Sequence, residues 1–157
     1  MNESDLGTRT ELALVKLIQR DTRAHLYERA LAPFSDVVDA VRYPTLSGIF
    51  WYGPLSAAAL SERVGVDRTV ASRYAAQLES SGLVQRAQDE RDARVSLLTL
   101  TDEGRTVVAG IRAELANVIK ATFDDWPPGL AESFVEGLER FVAAAPTRAS
   151  AAKLEAG

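Results

Sequence analysis

Apolar residues near the start of the chain recur at helical spacing. Leu12, Val15, Leu17, Ile18, Leu26, Ala30 and Leu31 approximate one stripe, with Arg and Glu on the other side. The pattern predicts a polar, frayed segment over 1–7 and a long helix over 8–31, which Pro33 either ends or kinks. A second helical region is read over 35–52, with Ser35 as a cap and Val37, Val38, Val41, Leu46, Ile49 and Phe50 facing inward. Pro44 either kinks this region or is the first residue of a separate helix. Gly53-Pro54 closes it.

The segment 53–104 has a denser code. Ser56 caps a short helix to Val64, with Leu55 placed to staple onto it. Gly65 makes a tight turn, Asp67 caps a helix from Arg68 to about Ser80, and Gly82 ends it. A helix, a short Gly-containing turn and a second helix give helix-turn-helix spacing. Two short apolar runs follow, Leu83-Val84-Gln85-Arg86 and Val95-Ser96-Leu97-Leu98-Thr99-Leu100. The charged tip between them makes a hairpin.

Thr101 then caps another long helix to about Phe123, with Val107, Val108, Ile111, Leu115, Val118 and Ile119 as its stripe. The DDWPPG break at 124–129 leads to a last helix marked by Leu130, Phe134, Leu138, Phe141 and Val142. The fold class expected is mainly α, a winged helix-turn-helix in the order α-α-α-α-β-β-α-α with long terminal helices. We divide the chain into an N-terminal helix over 1–34 and the winged helix over 35–100. C-terminal helices over 101–145 and a loose tail over 146–157 complete the division.

Composition removes several chemistries. The 157 residues include no Cys and one His, which excludes disulfides, thiolate metal sites, Cys nucleophiles and a multi-histidine centre. No nucleophile–base pair, phosphate loop or metal cluster is found, so we expect no catalytic residues, no cofactor and no enzyme. Asp124-Asp125 are adjacent and their side chains diverge, as in a solvated turn. The chain has no run of eighteen apolar residues and no signal peptide, and a cytoplasmic protein without a membrane contact is expected. The formal net charge of −4 decides little, because nucleic-acid binding needs a local basic surface. Of the 18 Lys and Arg, only Lys16, Lys120 and Lys153 are Lys. Arg predominates, and it is the better reader of bases and narrow grooves.

On the helix over 68–80, Val70, Ala71, Tyr74, Ala75 and Leu78 fall on one side and pack inward. Thr69, Ser72, Arg73, Ala76 and Gln77 fall on the other, and Arg68 stands at the N-terminal end. Arg can bond guanine through two hydrogen bonds, and Ser or Thr can bond bases or phosphates. An Arg at the hairpin tip, positioned by a nearby Asp, can enter the minor groove where the potential is most negative.

The run LSERVGVDRTVASRYAAQLESSGLVQRAQDERDARVSLLTLTDEG, residues 60–104, resembles the core of the MarR family of transcriptional regulators. LESSGLVQR is common to many winged helices. Asp89-x-x-Asp92-x-Arg94 followed by Leu100-Thr101-x-x-Gly104 is far more specific to that family. The resemblance implies that Arg94 is the wing Arg of the minor groove and that Asp92 holds it. It implies a DNA contact for Arg73, sequence preference at Arg68, Thr69 and Ser72, and phosphate contacts at Arg86 and Arg91. The chain departs from the family where Ala76 and Gln77 replace an Asp-Arg pair, and around Pro44, where the second region is about two residues longer.

The same resemblance implies a homodimer on double-stranded DNA, reading a pseudo-palindromic operator and acting as a repressor. It also implies release by a small phenolic or anionic effector. Candidate lining residues are His25, Tyr27, Arg42, Tyr43, Phe50 and Trp51. A winged-helix module that binds protein instead of DNA is the alternative, and the intact wing motif argues against it.

Overall fold

A computed structural model describes residues 3–89, 92 and 94–144. Their order is α1 (Glu3–Ile18), α2 (Arg20–Leu31), a 3-10 turn (Ala32–Phe34), α3 (Tyr43–Tyr52), α4 (Ala57–Val64), α5 (Arg68–Ser80), β1 (Val84–Gln88), β2 (Ser96–Leu100), α6 (Asp102–Ala121) and α7 (Leu130–Ala144). The architecture is mainly α with one two-stranded antiparallel sheet, as the hydrophobic pattern predicts. The chain forms two compact units, Met1–Val118 and Ile119–Gly157.

Two elements differ from expectation. The helix expected over 8–31 is two helices, and the first begins at Glu3. Gln19 takes an extended backbone, φ −56° and ψ 144°, which interrupts the hydrogen-bond ladder. No side chain caps α2, and Asp21 in its first turn favours the start electrostatically. The expected stripe is also only partly inward. Ala30 and Leu31 are buried, but Leu17 and Ile18 stand 58% and 70% exposed.

The second difference lies over 35–42, which is turn instead of helix. Ser35 caps nothing; its hydroxyl donates to the Ala32 carbonyl at 3.1 Å. Asp39 is the organising residue. Its Oδ1 accepts from the N–H groups of Val41 and Arg42 at 3.1 and 2.8 Å, and its carbonyl accepts from the Tyr43 N–H. A separate helix therefore starts at Tyr43 with Pro44 in its first turn, where the missing N–H is no loss. Val38, Leu46 and Ile49 are buried as expected, whereas Val41 is exposed because helical spacing does not run through the turn.

The helix-turn-helix forms from its local signals. The Ser56 hydroxyl accepts from the Ala59 N–H, Gly65 turns the chain at φ +69°, and Asp67 accepts from the Thr69 N–H at 2.7 Å. Leu60, Ala75 and Leu78 seal the two helices onto a core shared with Leu46, Ile49, Leu83 and Ile111. Burying each Leu or Ile among these supplies roughly 1.5–3 kcal/mol.

The hairpin pairs Val84 with Leu100 and Gln88 with Ser96. Leu55 bridges to Leu98 through both backbone hydrogen bonds, 3.3 and 2.9 Å, and so fastens the hairpin to the segment before α4. At its base the Thr101 hydroxyl donates to the Gly82 carbonyl at 2.6 Å and accepts from the Gly104 N–H at 2.9 Å. Gly104 sits so close to Leu83 that a Cβ there would collide with the Leu83 carbonyl.

In the second unit, Phe123, Trp126 and Phe134 form an aromatic cluster with centroid separations of 5.0 to 6.0 Å. Along α7 the large apolar residues Leu130, Phe134, Val135, Leu138, Phe141 and Val142 are all exposed. The expected loose tail over 146–157 lies outside the described residues.

Candidate nucleic-acid interface

Helix α5 separates its residues by face. Ala71, Ala75 and Leu78 are buried and Val70 and Tyr74 half-buried, while Arg68, Thr69, Arg73, Ala76 and Gln77 are exposed and Ser72 is half-buried. Arg68 and Thr69 occupy the first turn, whose N–H groups and helix dipole face the Asp67 carboxylate. Asp67 caps that turn. Hydrogen bonds from the Thr69 N–H and hydroxyl hold its carboxyl below the ordinary 3.8. The Arg73 guanidinium lies 5.2 Å from the centroid of the Tyr74 ring, within cation–π range.

The hairpin supplies a second group. Arg94 is exposed, and its backbone N–H donates to Asp92 Oδ1 at 3.0 Å. The Asp92 carboxylate thus fixes the turn that carries Arg94. Arg86, on β1, is engaged by a residue to which the sequence reading gave no role: its Nε donates to Glu79 Oε2 at 2.9 Å. Arg91 lies outside the described residues.

The expected effector residues separate into smaller groups. Tyr27 and Tyr43 pack edge to face at 5.3 Å, and Phe50 and Trp51 do the same at 5.1 Å. His25 is exposed on α2, and the Arg42 Nε is bound to Asp39 Oδ2 at 3.1 Å. The residue missed is Arg112 on α6. Its guanidinium lies 5.0 Å from the Phe50 centroid and 4.6 Å from that of Trp51. It also acts on Tyr43, whose phenol is pushed up by burial and by Tyr27 and drawn back by a hydrogen bond with Ser47 and the Arg112 charge. Nothing in the local sequence marks Arg112, because its neighbours come from α3.

A helix-turn-helix flanked by a hairpin that is sewn to its core defines a winged helix-turn-helix protein. Residues 40–96 match the model of the MarR family. Over that segment the chain is similar to the family, and its winged-helix fold is the one the match implies. Two similar proteins of Bacillus subtilis (strain 168) are described as uncharacterized HTH-type transcriptional regulators. YxaD is 32% identical over 89 residues, 57% of this chain and 62% of that protein. YdgJ is 30% identical over 79 residues, 50% and 48% respectively. The chain thus spans about half to three fifths of the length of these relatives. Among solved structures, RV1404 from Mycobacterium tuberculosis shares the fold with a TM-score of 0.71 at 21% identity, over 94% of this chain and 97% of that one. No helix of the described residues is long and apolar enough to cross a membrane.

Proposed function

We propose that this chain is a DNA-binding transcriptional regulator that works as a homodimer on a pseudo-palindromic operator, in the manner of a repressor. The observation that carries the reading is the exposed edge of α5. Arg68, Thr69 and Arg73 stand free of the core there, and a hairpin presenting Arg94 follows in the same module. In this reading α5 enters the major groove, where Arg68, Thr69, Ser72 and Arg73 meet base edges and phosphates. Arg94 reaches the minor groove from the wing, held by the turn that Asp92 stabilises. Arg86 and Arg91 add phosphate contacts.

Dimerisation is supported by the apolar residues left exposed along α1 and α7, among them Leu6, Leu12, Phe134 and Phe141. Two α5 helices about one DNA turn apart would then match a palindromic site. An anionic or phenolic effector would act by favouring the dimer whose spacing misfits the operator. The paired rings of Tyr27 with Tyr43 and of Phe50 with Trp51, together with Arg112, suit such a ligand.

The test is fluorescence anisotropy of the protein on DNA from upstream of its own gene, at several salt concentrations, beside Arg94→Ala. Selective binding that falls steeply with salt and collapses in the variant is the expected result. Binding that is absent, or equal in variant and wild type, would overturn the DNA reading and favour a protein-binding module.

A further inference from the structure

Away from α5 and the wing, an open groove of about 580 Å³ runs between α2 and the turn that leads to α3. Its α2 wall is a single stripe. Ala24, Glu28, Leu31 and Ala32 lie at i, i+4, i+7 and i+8, so they share one face. Leu31 and Val38 are buried beneath it, and the small side chains of Ala24, Ala32 and Ala40 leave the space open. The size falls within the range of small-molecule sites, roughly 300–1,000 Å³.

The charged residues described on the lining of this groove are acidic. Glu28 and Asp39 line it, and among the described residues no Lys, Arg or His does. Asp39 is already engaged by the N–H groups of Val41 and Arg42 and by the Arg42 side chain. Glu28 is exposed and makes no ion pair among the described residues. The Ser35 hydroxyl spends its proton on the Ala32 carbonyl and keeps lone pairs as acceptors. The groove also lies at the C-terminal end of α2, where the helix dipole concentrates negative charge. Among the described residues the lining is an apolar bed with acceptors, and the cation at its rim, Arg42, is bound to Asp39.

We propose that this groove is a binding site for a small organic cation with an apolar body, such as an aryl- or alkylammonium ion. Glu28 takes the charged head, and the bed of Ala24, Leu31, Ala32 and Val38 takes the body. Asp39 forms the far rim, so a bound cation competes with Arg42 for its carboxylate. Because Asp39 also holds the first N–H groups at the entry to α3, occupancy is felt at the start of that helix.

The site is tested by isothermal titration of the full chain with benzyltrimethylammonium chloride and, as a neutral counterpart, benzyl alcohol. A saturable one-site heat is expected for the cation, with the alcohol binding at least about threefold to fivefold more weakly. Glu28→Gln should weaken binding about threefold to fivefold, the scale of one exposed charge pair. Ala24→Leu, a good helix former at an exposed position, should plug the groove and cost at least about tenfold while the melting temperature holds. Glu132→Gln, far along the sequence on α7, should change nothing. No saturable heat, equal binding of the alcohol, or binding indifferent to Glu28→Gln or to Ala24→Leu would overturn the proposal. The readout does not involve DNA, so it stands or falls apart from the regulator reading.

Discussion

Glu79 on α5 and Arg86 on β1 form an ion pair across the junction of helix and wing, Oε2 to Nε at 2.9 Å. Both side chains remain more than a third exposed, so the pair contributes little to stability, about 0.2–1 kcal/mol. Its effect falls on charge availability. A phosphate that engages Arg86 must displace or share the carboxylate of Glu79. Glu79→Gln should therefore tighten binding to every DNA sequence alike and steepen the dependence of log K on log salt by about one unit. Titrations of an upstream DNA and a scrambled duplex at four salt concentrations check this, and an unchanged slope would remove Arg86 from the phosphate contacts.

Gly104 opens α6 against the Leu83 carbonyl with no room for a Cβ. Gly104→Ala forces one backbone segment away from another, where no flexible side chain can yield. The expected cost is about 3 kcal/mol, at the upper end for overpacking. Gly137, on α7 with open space around it, is the control: Gly137→Ala should be neutral or slightly stabilising. Chemical denaturation of both variants measures the difference.

Burial pushes the Asp39 carboxyl up, but hydrogen bonds from Arg42 and Val41 and the Arg42 charge outweigh it, and the net shift is below 3.8. Between that lowered value and 3.8 the unfolded chain binds more protons than the folded one, so stability rises with pH there. The contribution is complete above pH 3.8 and disappears as pH falls through the folded value. Melting curves from pH 6 downward should therefore fall less steeply for Asp39→Asn than for the wild type, roughly below pH 4. Parallel curves would show that Asp39 carries no such linkage.

Arg112 stacks on Phe50 and Trp51. Replacing it by Gln removes a cation–π contact worth about 0.5–1 kcal/mol at an exposed position and leaves α5 and the wing untouched. DNA affinity should stay within about twofold of wild type by this argument. The ability of 4-hydroxybenzoate, which is both phenolic and anionic, to release the DNA should be lost. Release that persists in Arg112→Gln would place the effector elsewhere.

The legible parts of the fold are those with a local cause. Ser56, Gly65, Asp67 and Gly82 each act within a few residues of their own position, and the helices they bound lie where the sequence puts them. The two faces of α5 follow from the 3.6-residue period in the same way. The failures need information from a distance. No Gly or Pro marks the break at Gln19, and apolar spacing carries across it. In 35–42 the valines imitate a helical face, while Asp39 uses its side chain to bind the backbone two and three residues ahead. Glu79 and Arg112 were missed for one reason: each gains its role from a partner on another element.

The contact between Gly104 and Leu83 also has a mechanical meaning. With no side chain between them, the root of the wing and the first turn of α6 meet backbone on backbone, like a fulcrum without a cushion. Helix α6 has 20 residues. At 1.5 Å per residue its arm is about 30 Å long, so a tilt of about 5° sweeps the far end through roughly 2.6 Å. The root of the wing has no compressible layer between its backbone and that of α6, and the spacing of the two is fixed by main-chain atoms alone.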